Sequence, residues 1–120
     1  FDMPPIAVIQ GDCLDVCAAL VDRGFNPCCL INASMSHPGG GWRKGAGAQE
    51  ENMFRRTNLF DCMEDPYGHH KRSWSYPLPN IGGIYVPNAT VLRGAEHDGY
   101  PFLMKPFEMS FVAVAAFKQP

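Results

Sequence analysis

Apolar and polar positions change period several times along the chain. Ile6–Gln10, "IAVIQ", is a short apolar run closed by Gly11-Asp12, and it predicts a buried strand. The next segment, "CLDVCAALVDRG", places Leu14, Cys17, Ala18 and Val21 at i, i+3, i+4 and i+7, the spacing of a helix with one apolar face. Asp12 is placed to cap its start, and Gly24 to take the left-handed position after its end. Cys28–Ala33, "CCLINA", is apolar without alternation, which predicts a strand covered on both faces. The three segments read as strand–helix–strand, in its simplest form a right-handed parallel βαβ unit.

A glycine loop follows that second strand directly. Gly47 to about Met63 then reads as one helix. "DPYGHHKRSWSYPLPN" is turn-rich and predicts a long surface loop. "GGIYVPNATVLR" supplies one or two strands interrupted at Pro87-Asn88, and "RGAEHDG" is a turn whose Asp98-Gly99 signals a hairpin. "YPFLMKPFE" predicts an edge strand limited by its prolines, and "MSFVAVAAF" a final buried strand. No segment repeats and none is of low complexity. The fold class is α/β, a mixed sheet flanked by helices, in one domain spanning 1–120.

The bulk numbers narrow the function classes. A net charge of −2 argues against a duplex nucleic-acid partner, because counterion release needs a concentrated basic face. The one dense basic run, "HHKR" at His69–Arg72, is too short to define a groove and reads as a solvated loop. Five cysteines, an odd count without paired spacing, point to a reducing compartment, hence an intracellular, cytoplasmic or nuclear setting. No apolar run reaches the length of a membrane span, and no leader pattern opens the chain. Cys13 and Cys17 stand at i, i+4 and His69-His70 are adjacent, but no CxxC pair exists, so no metal or other cofactor is expected.

The candidate chemistry lies in His37–Phe60, "HPGGGWRKGAGAQEENMFRRTNLF". Gly39, Gly40 and Gly41 present three main-chain N–H groups without a Cβ, so the backbone can adopt positive φ and approach an anion closely. The same run also suits a plain mobile turn. On the helix that follows, at about 100° per residue, Met53, Phe54, Thr57 and Phe60 share a face. Glu50 falls near the middle of that face, Glu51 at its margin and Gln49 at the opposite margin. A carboxylate there is pulled two ways: burial raises its pKa and the helix N-terminus lowers it. Opposed influences of this kind separate an acid from a base. The plain alternative is a charged first turn in which Glu51 pairs with Arg55 at i+4 and Glu50 with another base.

Gly39-Gly40-Gly41, a seven-residue spacer and Gln49-Glu50-Glu51 together resemble the signature of poly(ADP-ribose) glycohydrolases, and "INASMSHPGGGWRKGAGAQEENMFRRTNLF" resembles their microbial type. "IAVIQGDCLDV" is similar to the opening of a macrodomain, the ADP-ribose-binding fold of these enzymes. "YPLPNIGGIYVPNATVLRG" and "SFVAVAA" fit the same pattern more loosely. The resemblance implies that Glu51 is the catalytic acid/base, that Glu50 helps hold the ribose, and that Gln49 supports the pocket. It implies that Gly39–Gly41 lie against the diphosphate and distal ribose, that Asn32 and Ser34 touch that ribose, and that Asp12 receives the adenine amino group.

The implied reaction cleaves a ribose–ribose O-glycosidic bond through an oxocarbenium-like transition state. Protonated Glu51 serves the leaving oxygen, then activates water as the carboxylate. The partners implied are poly(ADP-ribose) or an ADP-ribosylated protein, with ADP-ribose as product. The family also carries a second glycine-rich loop over the diphosphate. The chain stops at Pro120, where that loop is due, so the domain is expected to be incomplete at its C-terminus. Two further readings use the same residues: an ADP-ribose-binding module without efficient catalysis, and a hydrolase of another ADP-ribosyl linkage.

Overall fold

The computed structural model describes residues 4–79 and 81–115. In chain order its elements are α1 (Cys13–Asp22), β1 (Cys28–Ala33), α2 (Gln49–Arg56), α3 (Leu59–Met63), β2 (Ile84–Arg93) and β3 (Phe102–Ala115). Single 3-10 turns occupy Trp42–Lys44 and Glu96–Asp98. The strands form one sheet in the order β1-β3-β2, with β1 parallel and β2 antiparallel to β3. This is a mixed α/β arrangement.

Helix α1 forms as its apolar spacing requires. The Asp12 carboxylate accepts the Asp15 N–H at 2.9 Å, and Gly24 closes the helix at φ +88°. The preceding apolar run does not form the expected strand. Residues 4–10 have no regular structure, and Ile6, Val8 and Ile9 are exposed, Val8 at 99%. An isolated apolar run becomes a strand only with a partner strand and a face to pack against, and the described residues offer it neither. The opening βαβ unit is therefore replaced by parallel pairing of β1 with β3, Cys28 opposite Ser110 through Ala33 opposite Ala115.

Among the described residues the sheet is covered on one face. Ile31 of β1 is fully buried while Leu30 beside it is 50% exposed, so the expectation of a strand covered twice is corrected to a half-covered one. Met109, Phe111, Ala113 and Ala115 of β3 alternate inward in the same way. On β2 the inward residues are Val86, Ala89 and Val91. Their parity changes because Val86 pairs with Phe111 while Ala89 pairs with Met109, leaving one extra residue at Pro87-Asn88. The interruption expected there is thus a bulge that returns the strand's apolar side chains to the core.

Strand β3 unites two segments that the sequence divides. Its first half pairs only with β2, and Pro106 lies where β1 does not reach. The expected final strand extends to Phe117, and its last two residues lie outside the described ones. The turn between β2 and β3 includes Gly99 at φ +82°, as the Asp98-Gly99 signal requires.

The expected single helix from Gly47 to Met63 is two. Thr57 is extended, at φ −136° and ψ 177°; its Oγ1 donates to the Met53 carbonyl and accepts the Leu59 N–H. Asn58 then exchanges two bonds with Thr90 of β2: its N–H donates to the Thr90 carbonyl, and its Oδ1 accepts the Thr90 N–H at 2.8 Å. This break lays α2 and α3 along the sheet. Leu14, Met53, Phe54, Leu59, Met63, Val91 and Phe111 close the core between them, each adding roughly 1.5–3 kcal/mol by its burial.

Candidate active site at the head of the second helix

The first three residues of α2 carry side chains of different duty. Gln49 turns to β1: its Oε1 accepts the Asn32 N–H and its Nε2 donates to the Leu30 carbonyl, both at 2.7 Å. It positions the helix rather than lining a pocket. Glu50 is 2% exposed, and both its oxygens are engaged. Oε1 accepts the Ser34 N–H at 2.7 Å and Oε2 the Gly39 N–H at 3.3 Å. Burial pushes its carboxyl above the ordinary range, Ser34 and Gly39 pull it down, and the charge of Glu51 adds to the rise. Glu51 is 8% exposed, and its Oε1 accepts the Ala48 N–H at 3.1 Å. Its Oε2 has no hydrogen-bond partner among the described residues.

That free oxygen lies against the glycine loop. A Cβ on Gly40 would stand 2.5 Å from Glu51 Oε2 and 3.2 Å from Glu50 Oε1, and Gly40 has φ +56°. A Cβ on Gly39, at φ +75°, would meet Trp42 and stand 2.5 Å from Phe54 Cδ2. Both positions therefore need glycine for backbone shape and for space. Gly41, at φ −96°, needs it less. The loop is neither a linker nor loose. Gly40 N–H donates to the His37 carbonyl and Trp42 N–H to the Gly39 carbonyl. The Trp42 ring covers the loop, tilted against Phe54 at 6.2 Å and Phe60 at 5.8 Å.

In front of Gly40 and Gly41 is a hollow of about 430 Å³, walled by Ser34, His37, Trp42, Arg43, Lys44 and Glu64 among others. Its charged side chains are mainly basic, and its one acid, Glu64, meets Arg43 at 3.6 Å. Gly41 N–H has no partner among the described residues and adds a donor. Glu50 and Glu51 stand behind Gly40, outside that wall. Ser34 Oγ accepts the Ser36 and His37 N–H groups, each at 3.3 Å. Asn32 and Ser34 thus reach the site through backbone bonds to Gln49 and Glu50.

Asp12 is placed elsewhere. Its two oxygens accept from Arg56 Nη1 at 2.7 and 2.9 Å, and the Arg56 side chain is 2% exposed. Partial burial raises the Asp12 pKa, but the bonds to Arg56 and Asp15 outweigh it and hold the carboxyl below its usual range. Arg56 ends α2, about 10 Å along the axis from Gln49 at the usual helical rise. Asp12 therefore grips the far end of the helix and does not line the hollow.

The pairing of Glu51 with Arg55, the plain alternative, is not made. Arg55 Nη2 donates to the Trp42 carbonyl at 2.9 Å and to that of Ala46, stapling the loop to the helix. Sequence reasoning missed Arg55 and Arg56 in these roles; two bases in a last helical turn were the available signal. It also missed the Tyr76 hydroxyl, which is buried without a partner among the described residues. Burial first, and the nearby Glu50 charge second, push that phenol upward. Tyr85 is 63% exposed and borders a different hollow with Cys62 and Trp74.

Among solved structures, this chain is similar to poly(ADP-ribose) glycohydrolase from Thermomonospora curvata bound to the inhibitor ADP-HPD, at 30% identity and TM-score 0.67. The match covers 86% of this chain and 39% of that one. It is also similar to poly(ADP-ribose) glycohydrolase from Deinococcus radiodurans in complex with ADP-ribose, at 25% identity and TM-score 0.64, over 86% of this chain and 41% of that one. This chain thus spans well under half the length of these enzymes. No curated protein sequence matches it. Residues 2–94 match the family described as microbial-type PARG, catalytic domain, a span that holds the glycine loop and both glutamates. The chain belongs to the microbial-type PARG catalytic domain family.

Proposed function

We propose that this chain supplies the acid/base element of a poly(ADP-ribose) glycohydrolase that releases ADP-ribose by cleaving ribose–ribose O-glycosidic bonds. The observation that carries the reading is the unequal engagement of the two carboxylates. Glu50 spends both oxygens on the Ser34 and Gly39 N–H groups, whereas Glu51 keeps Oε2 free against Gly40. A free carboxylate oxygen is what proton transfer requires. Protonated Glu51 gives its proton to the departing ribose oxygen. As carboxylate it then takes a proton from the water that attacks the anomeric carbon. Glu50 holds the loop in shape, and the basic hollow, with its Arg43, Lys44 and Gly41 N–H, suits a diphosphate.

The test is turnover of poly(ADP-ribose) beside calorimetric binding of ADP-ribose, on this chain and on the longest natural form. Glu51→Gln is expected to lower turnover about 100-fold or more while binding persists. Gly40→Val is expected to abolish binding, because its side chain meets both glutamates. Unchanged turnover in Glu51→Gln would sink the assignment. Binding without turnover by the unaltered natural form would favour an ADP-ribose-binding module. Turnover confined to other ADP-ribosyl linkages would move the leaving group from ribose to a side chain or base.

A further inference from the structure

Three of the five cysteines converge where α1 starts beside β1. Cys13 Sγ and Cys29 Sγ are 3.8 Å apart, and Cys17, one helical turn after Cys13, faces the same sulfur. Cys13 is exposed, Cys29 half-buried and Cys17 buried. Either sulfur of the Cys13–Cys29 contact can donate, and the Cys29 thiol also reaches the Leu30 carbonyl at 3.5 Å. Contact with Cys29 brings the Cys13 thiol down to about 7 and lowers that of Cys17, while both raise that of Cys29. Exposure singles out Cys13 over the buried Cys17 as the accessible thiol, and the Cys29 sulfur 3.8 Å away is its neighbour, the pairing of an attacking and a resolving cysteine. Cys62 contrasts with it: burial and the charges of Asp61 and Asp65 raise its thiol.

The position of this pair matters for the site. Asp12, next to Cys13, grips Arg56 at the end of α2. Leu30, next to Cys29, and Asn32 grip Gln49 at its head. The two segments that hold α2 at opposite ends are thus the two that the thiols would join.

We propose that Cys13 and Cys29 form a peroxide-oxidised pair whose disulfide latches the frame around α2. The Cys13 thiolate attacks one oxygen of hydrogen peroxide; the O–O bond breaks, water leaves after protonation, and Cys13 becomes a sulfenic acid. The Cys29 sulfur then displaces that hydroxyl; the S–S bond forms, the S–O bond breaks, and a second water carries off the Cys29 proton. Two thiols and one peroxide give one disulfide and two waters. The sulfurs close from 3.8 Å to about 2.05 Å as the bond forms.

The experiment treats the reduced chain with a stoichiometric amount of hydrogen peroxide and maps its cysteines by peptide mass spectrometry. A Cys13–Cys29 linked peptide, two hydrogens lighter than its parts and reversed by dithiothreitol, is expected. Its rate should rise with pH about a midpoint near 7. Cys29→Ser should leave Cys13 as a trappable sulfenic acid, and Cys13→Ser should slow peroxide consumption at least tenfold. Hydrogen exchange of the α2 amides should slow in the oxidised chain. A link from Cys17 to Cys29, first attack at Cys28 or Cys62, or no link at all overturns the pair. A link that leaves α2 exchange unchanged overturns the latch.

Discussion

The two ends of α2 solve a problem opposite to that of the opening segment and the first half of β3. Around α2, Glu50, Glu51 and Arg56 are buried and Gln49 half-buried, and nearly every polar atom meets a named partner: Gln49 on Leu30 and Asn32, Glu50 on Ser34 and Gly39, Arg56 on Asp12. In residues 4–10 and in the first half of β3, apolar side chains stand in solvent, with Ile6, Val8, Phe102 and Met104 strongly exposed. Composition alone would assign the parts the other way round. Burial is decided by whether partners exist, not by hydrophobicity. The site is assembled from neighbours within the chain, whereas the exposed run finds no surface to cover it among the described residues.

The comparison breaks most sharply at Asp12. Replacing it by alanine takes the nearer carboxylate from the buried Arg56 guanidinium, leaving only Asp15 at 3.4 Å and weaker polar partners, and removes the cap of α1, at a cost of about 3 kcal/mol at pH 7. Urea unfolding of the two proteins measures this. The native Asp12 pKa lies below the unfolded value, so its contribution is full above about pH 3.8 and is lost as pH falls through the lowered native value. The gap between wild type and variant should therefore close in acid. A gap that stays constant with pH would show that the ion pair is not its source.

Glu50→Gln is the next effect in size. The variant keeps the shape but sets an amide N–H₂ against the Ser34 or Gly39 N–H, leaving a buried donor unpaired at about 2 kcal/mol. Loosened loop residues 34–41 should show as faster amide exchange there and weaker ADP-ribose binding. Retained protection would mean that the loop is held by Trp42 and Arg55 alone. The smallest effect is expected in the other region. Val8→Ser should change stability by less than about 0.5 kcal/mol, because the residue is 99% exposed. A larger loss in this chain would mean that the run packs in solution.

Legibility in the sequence follows the range of the interactions. The α1 cap and its closing glycine were readable because all their partners lie within a turn or two. The glycine loop was readable because its residue types answer to backbone shape, φ +75° at Gly39 and +56° at Gly40. The break at Thr57 was not readable: it depends on Asn58 meeting Thr90, 32 residues away. The second role of Asp12, its grip on Arg56, was not readable for the same reason, since Arg56 lies 44 residues on. The strand expected at Ile6–Gln10 failed because an apolar run records a capacity to pair, not the presence of a partner. The division between Glu50 and Glu51 was half visible. Helix geometry put both near the core, but only the Ser34 and Gly39 bonds show which one is fully engaged.

The grip of Gln49 has one more consequence. Among the described residues the sheet has an open margin beyond β1, and such margins invite strands from other molecules to add on and seed aggregates. The Gln49 amide offers an N–H₂ and a carbonyl to the very groups, the Leu30 carbonyl and Asn32 N–H, that an incoming strand would seek. It acts as a one-residue counterfeit of that strand, and in doing so guards the margin against intruders.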